Sequence, residues 1–234
     1  MNTIEIKNLS FDYNGLCLLD GVSLEVKRGE LVRLTGPNGS GKSTLLKLII
    51  GELQPKGGRI RLFGQDISAF RDWRKVGYLT QNKAGQANFP ASAMEVVMTG
   101  LYGEKGNLRG RALEALKLVG MEGHKDALIG RLSGGQLQRI MMARLLAARH
   151  ELLLLDEPMA GLDAEACEMM YGILFRLAEE GAACLMVSHD ISWRAHIPRG
   201  RTLCLEYGSV VELGREQLAR EMENRHAHPG RAKV

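Results

Sequence analysis

Glu30 to Gly51 reads ELVRLTGPNGSGKSTLLKLIIG. An apolar run leads into a glycine-rich turn, and STLLKLII leaves that turn at helical spacing until Gly51 stops it. Gly36, Pro37, Asn38, Gly39, Ser40, Gly41, Lys42, Ser43 and Thr44 fit the phosphate-loop pattern GxxxxGK[ST] throughout. Glycines let backbone N–H groups converge on phosphate oxygens, and the helix that follows presents its positive dipole end to the same anion. Lys42 is placed to reach the β- and γ-phosphates of a nucleoside triphosphate, and the Ser43 hydroxyl to take a position on Mg²⁺. Arg33 stands out in the strand before the loop, where a buried parallel sheet takes small or apolar residues. It is expected near an edge of the packing.

Upstream of this stretch, Ile4, Ile6 and Leu9 alternate with polar residues, and Val22, Leu24 and Val26 repeat the pattern after Asn14-Gly15. This predicts an antiparallel pair of strands. Downstream, from about Phe89 to Arg149, apolar residues recur every three and four positions, in AMEVVMTGLYG and RGRALEALKLVGM. Strand-like runs return in LLLLD, ACLMVSH and TLCLEYG, and VVELG closes a hairpin. The pattern predicts an α/β phosphate-loop NTPase domain spanning residues 1–218, with an N-terminal antiparallel β-subdomain and a helical insertion at about 85–149. The stretch 219–234 is polar and reads as a flexible tail.

Two further motifs add chemistry. Leu152 to Leu155 read as a buried strand that ends in Asp156 and Glu157. Asp156 suits the Mg²⁺ shell, and Glu157 suits a general base on the attacking water. Between the two nucleotide motifs lies Leu132-Ser133-Gly134-Gly135-Gln136. Here Ser133 opens a helix, QLQRIMMARLLAAR, so its hydroxyl and the free N–H groups form a second anion site.

Composition limits the rest. Apolar residues make up 45% and charged residues 25% of the 234 residues, as in ordinary globular proteins. A net charge of +4, spread without a dense Lys/Arg run, argues against a nucleic-acid partner. The four cysteines, Cys17, Cys167, Cys184 and Cys204, form no CxxC pair, and the N-terminus is polar, so they read as reduced cytosolic thiols. The six histidines lack zinc-ligand spacing. No apolar run approaches the roughly 18 residues of a membrane helix, so any pore must come from another chain.

The phosphate loop, LSGGQ and LLLLDEP, in that order, resemble the ATP-binding cassette family over residues 3–214. The resemblance implies an ATPase with ATP and Mg²⁺ as ligands. It implies a homodimer in which two cassettes pair head to tail, each signature Leu132–Gln136 facing the other's nucleotide. Tyr13 looks like the aromatic that stacks on adenine. Gln81 looks like the residue that touches Mg²⁺ and water at the hinge into the helical insertion. Asp163 looks like the D-loop aspartate, and His189 like the switch histidine on the γ-phosphate. Met159 departs from the family, where Thr or Ser is commoner. The implied partners are integral membrane permease subunits and an extracytoplasmic solute-binding protein. The implied location is peripheral, on the cytoplasmic face of the cell membrane.

Within the family, the segment FPASAMEVVMTGLYG resembles the zinc and manganese importer ATPases. Iron-chelate importers share parts of it, so an ATPase for iron chelates, haem or another small solute stays open. So does a non-transport ATPase of the family, such as a cluster-assembly factor. His226 and His228 in the tail read as a spacing without a metal role.

Overall fold

The computed structural model describes residues 1–80, 90–189 and 200–214. Strands β1 (Asn2–Tyr13) and β2 (Leu16–Lys27) pair antiparallel around Asn14-Gly15, as the alternation predicts. The buried strand β3 (Leu31–Thr35) feeds the glycine loop, and helix α1 (Lys42–Ile49) leaves it. Strand β4 (Gly57–Leu62) then returns to pair with the other side of β1, and β5 (Gln65–Asp66) completes a four-stranded sheet in the order β2-β1-β4-β5.

Strand β6 (Val76–Leu79) precedes the helical segment, which contains α2 (Ala93–Thr99), α3 (Leu108–Leu118) and α4 (Gly134–Ala147). Helix α2 begins in a capping box: Ser92 Oγ accepts from Glu95 N–H at 3.3 Å, while the Glu95 carboxylate accepts from Ser92 N–H at 2.7 Å. The core resumes with β7 (Leu152–Asp156), α5 (Ala164–Glu179), β8 (Ala183–Val187), β9 (Arg201–Glu206) and β10 (Ser209–Glu212). The second sheet runs β10-β9-β3-β8-β7-β6, parallel from β9 to β6 with β10 as an antiparallel edge.

Because side chains alternate across a strand, this sheet divides two cores. Val32, Leu34, Leu154 and Leu185 face α1 and the antiparallel sheet, meeting Leu45, Ile6 and Leu9. Leu31, Leu155 and Met186 face the helices, meeting Val97, Leu116, Ile140 and Leu174. Full burial of one such Leu or Ile side chain contributes about 1.5–3 kcal/mol.

Arg33 corrects the expectation drawn from sequence. It does not lie at an edge: β3 is internal, and Arg33 is 2% exposed between Met186 on β8 and Thr202 on β9. The chain crosses from β8 to the far side of β3 before forming β9, which encloses β3. Met159 is also buried, within the helix-side cluster, so its apolar side chain suits its place.

Candidate nucleotide-binding site

Parallel α/β sheets hold ligands beyond the carboxyl ends of their strands. Here the C-terminal ends of β7 and β8, through Asp156 and Val187, and the loop that follows β3 share one cleft of about 370 Å³. The loop and first turn of α1 form one wall through Asn38, Lys42, Ser43 and Thr44. Asp156, Glu157 and His189 form the other. Leu18 lines the cleft too, a residue that sequence reasoning missed, since nothing in the local pattern separates it from its strand neighbours.

Loop shape is set by close backbone approach. Gly36 has φ of 143°, and a Cβ there would stand 2.1 Å from the Leu205 carbonyl oxygen on β9, so no larger residue fits. Lys42 Nζ donates to the carbonyls of Gly36 at 2.9 Å and Pro37 at 2.7 Å, which points the ammonium back over the loop. Burial pushes the Lys42 ammonium below its ordinary value, opposed by the nearby carboxylates of Glu157 and Asp156.

Asp156 is 4% exposed. Burial pushes its carboxyl above the usual range, while a hydrogen bond from Ser43 and the charge of Lys42 pull it down. Its Oδ1 has no hydrogen-bond partner among the described residues. A buried, unsatisfied carboxylate oxygen beside a serine hydroxyl fits a hard divalent cation, so the residues present suit Mg²⁺.

Glu157 lies just past β7 with φ of 50°, in the left-handed region. Such strain in a bulky residue persists only where its surroundings enforce it. Here the Glu157 N–H donates to Val187 O at 3.0 Å, and its own carbonyl accepts from Ala160 N–H at 3.1 Å. The side chain is thereby turned to His189, whose Nε2 is 3.5 Å from Glu157 Oε1.

The other predicted positions stand apart from the cleft wall. Tyr13 ends β1 at the hairpin tip, 46% exposed, with its ring edge-to-face on Phe11 at 5.0 Å between centroids. Ser133 caps α4: its hydroxyl accepts from Gln136 N–H at 3.2 Å, and the Gln136 side chain accepts from Ser133 N–H at 2.9 Å. Asp163 caps α5, its carboxylate accepting from Ala166 N–H at 2.8 Å. Gly135 lies against Gly161, whose carbonyl oxygen would be 2.7 Å from a Cβ, so signature and D-loop touch within one chain. Gln81, His226 and His228 lie outside the described residues. No helix among the described residues is long and apolar enough to cross a membrane.

Glycine loop, paired acids and histidine at the ends of adjacent parallel strands define a phosphate-loop NTPase. The profile described as "ABC transporter" matches residues 19–160, and the chain belongs to that family. It is similar to the zinc uptake system ATP-binding protein ZurA of Listeria innocua, 43% identical over 80% of this chain and 77% of that one. It is 37% identical to the manganese transport system ATP-binding protein MntB of Bacillus subtilis, over 82% of this chain and 78% of that one. The solved dimer of the ATP-binding cassette MJ0796 with ADP and Pi superposes with a TM-score of 0.78 at 31% identity, covering 90% of this chain and 97% of that one. The fold is that of an ABC ATPase, and the activity is ATP hydrolysis coupled to transport. Membership of this family implies dimerisation and membrane permease partners.

Proposed function

We propose that this chain is the ATPase subunit of a divalent-metal importer for zinc or manganese, acting peripherally on the cytoplasmic face of the membrane with a permease and an extracytoplasmic solute-binding protein. One observation carries the catalytic assignment: Lys42, Ser43, Asp156, Glu157 and His189 meet in one cleft at the ends of three parallel strands. The loop backbone from Gly36 to Thr44 cradles the phosphates, and Lys42 neutralises them. Ser43 and Asp156, with Gln81, would hold Mg²⁺, which when bound would supply charge neutralisation to the phosphates. Glu157 takes a proton from water, an effect worth about 10²–10⁴ in rate. His189 holds the γ-phosphate and, 3.5 Å from Glu157, orients the base. Tyr13 stacks on adenine, and Ser133 to Gln136 complete the site of a partner copy paired head to tail. Asp163, next to that junction, links the two sites.

The metal is supported by the two relatives above and by the segment after Gln81, since no residue of an ATPase subunit touches the cargo. The test is the elemental content of cells carrying Glu157→Gln in place of the native residue, grown in metal-limited medium. A selective fall in zinc or manganese is expected. Unchanged levels of both, with hydrolysis abolished in the purified chain, would move the cargo to another solute.

A further inference from the structure

Gln138 lies one turn into α4, five residues past Ser133, and is 3% exposed. Its Nε2 donates to the carbonyl of Pro158 at 2.8 Å. Buried amides persist where they are satisfied, and this one is satisfied by the carbonyl of Pro158, the residue immediately after Glu157. The strained backbone at Glu157 is therefore gripped from three directions. Val187 O on β8 receives its N–H, Ala160 N–H donates to its carbonyl, and Gln138 holds the carbonyl of the next residue, Pro158. The first grip comes from β8 and the second from the turn that follows Glu157. Only the third reaches in from the helical segment.

We propose that Gln138 is a positioning residue for hydrolysis. Its donation to Pro158 O holds the left-handed turn at Glu157, so that the carboxylate stays on the side of His189 and of the attacking water. The inference rests on Glu157 being the general base. It also gives the signature helix a direct hold on the base of its own chain, separate from its contact with a partner's nucleotide. Gln138 does not itself line the cleft, so its loss is expected to act on turnover and leave ATP binding intact.

Three variants of the full chain test this side by side. Gln138→Met keeps length and volume but removes the donor. Gln138→Glu keeps the shape and exchanges the amide for a carboxyl, which regains an O–H donor when protonated. Glu157→Gln reports on the base itself. With Gln138→Met, kcat is expected to fall on the order of 10–100-fold, as for a small misplacement of a reacting group, with KM for ATP unchanged and Tm lowered only by the loss of one buried hydrogen bond at Pro158 O. With Gln138→Glu, activity relative to wild type at each pH is expected to be low at about pH 8 and to recover toward pH 6, because burial raises the pKa of the introduced carboxyl. Wild-type kcat in Gln138→Met, or a flat activity ratio across pH in Gln138→Glu, would overturn the proposal. A fall in kcat accompanied by a matching rise in KM for ATP would reduce Gln138 to general packing and overturn it equally. If Glu157→Gln turns over at the wild-type rate, the base assignment fails instead, whatever the Gln138 variants do.

Discussion

Asp156 concentrates the conflict between folding and chemistry into one side chain. In the unfolded chain its carboxyl has the ordinary value near about 4. In the fold, burial holds it higher. The folded state thus keeps its proton more tightly, so the stability tied to this group is fully present below the unfolded value and is lost as pH rises through the folded one. At neutral pH the ionised carboxylate weakens the nucleotide-free chain. Asp156→Asn is therefore expected to raise Tm, by about 2–4 °C for each kcal/mol regained, while removing Mg²⁺-dependent ATP binding. Thermal scans with and without Mg²⁺ and ATP check both halves; a lowered Tm in the nucleotide-free variant would contradict the burial argument. The acids and the lysine were legible in sequence because their spacing from the strand and loop is fixed. The left-handed backbone at Glu157 was not, since nothing in LLLLDEP marks the peptide that β8 and α4 enforce.

Among the elements, α4 shows how two adjacent glycines in one motif differ. A Cβ on Gly134 would meet open space, whereas one on Gly135 would stand 2.7 Å from the Gly161 carbonyl. Alanine favours helix over glycine by up to about 1 kcal/mol. Gly134→Ala is thus expected to leave the stability of the isolated chain unchanged or slightly raised, while Gly135→Ala lowers it by forcing α4 away from the 157–162 loop. Denaturant titration of both variants checks the contrast, and equal midpoints would refute it. The helix itself, its serine cap and its start were readable from LSGGQLQR, because capping is local. The docking of Gly135 on Gly161 and of Gln138 on Pro158 joins residues 20 or more positions apart, and no periodicity reports such contacts. Strand β4 escaped the sequence reading for the same reason: GGRIRL pairs with β1 only after α1 has intervened.

Over the whole molecule, the six-stranded sheet separates two apolar cores, and the motifs divide between them. The phosphate loop and α1 rest on the core shared with the antiparallel sheet, and the signature helix rests on the other. Leu46 and Leu116 are both fully buried, one in each. Truncating either to alanine is expected to cost about 2–5 kcal/mol. Leu46→Ala should weaken ATP binding as well, because α1 carries Lys42 and Ser43, whereas Leu116→Ala should leave it near the wild-type value. Paired measurements of unfolding and ATP affinity distinguish the two, and equal affinity losses would argue against divided support. Sequence order made the α/β class legible, but the wrapping of β9 around β3 is a property of the crossover, which is why Arg33 proved central and not peripheral. In the proposed head-to-tail pair, each ATP would be held by the phosphate-loop core of one copy and the helix-side core of the other. Two alleles with lesions in different cores would then complement: a mixed dimer still assembles one undamaged site from the sound half of each product.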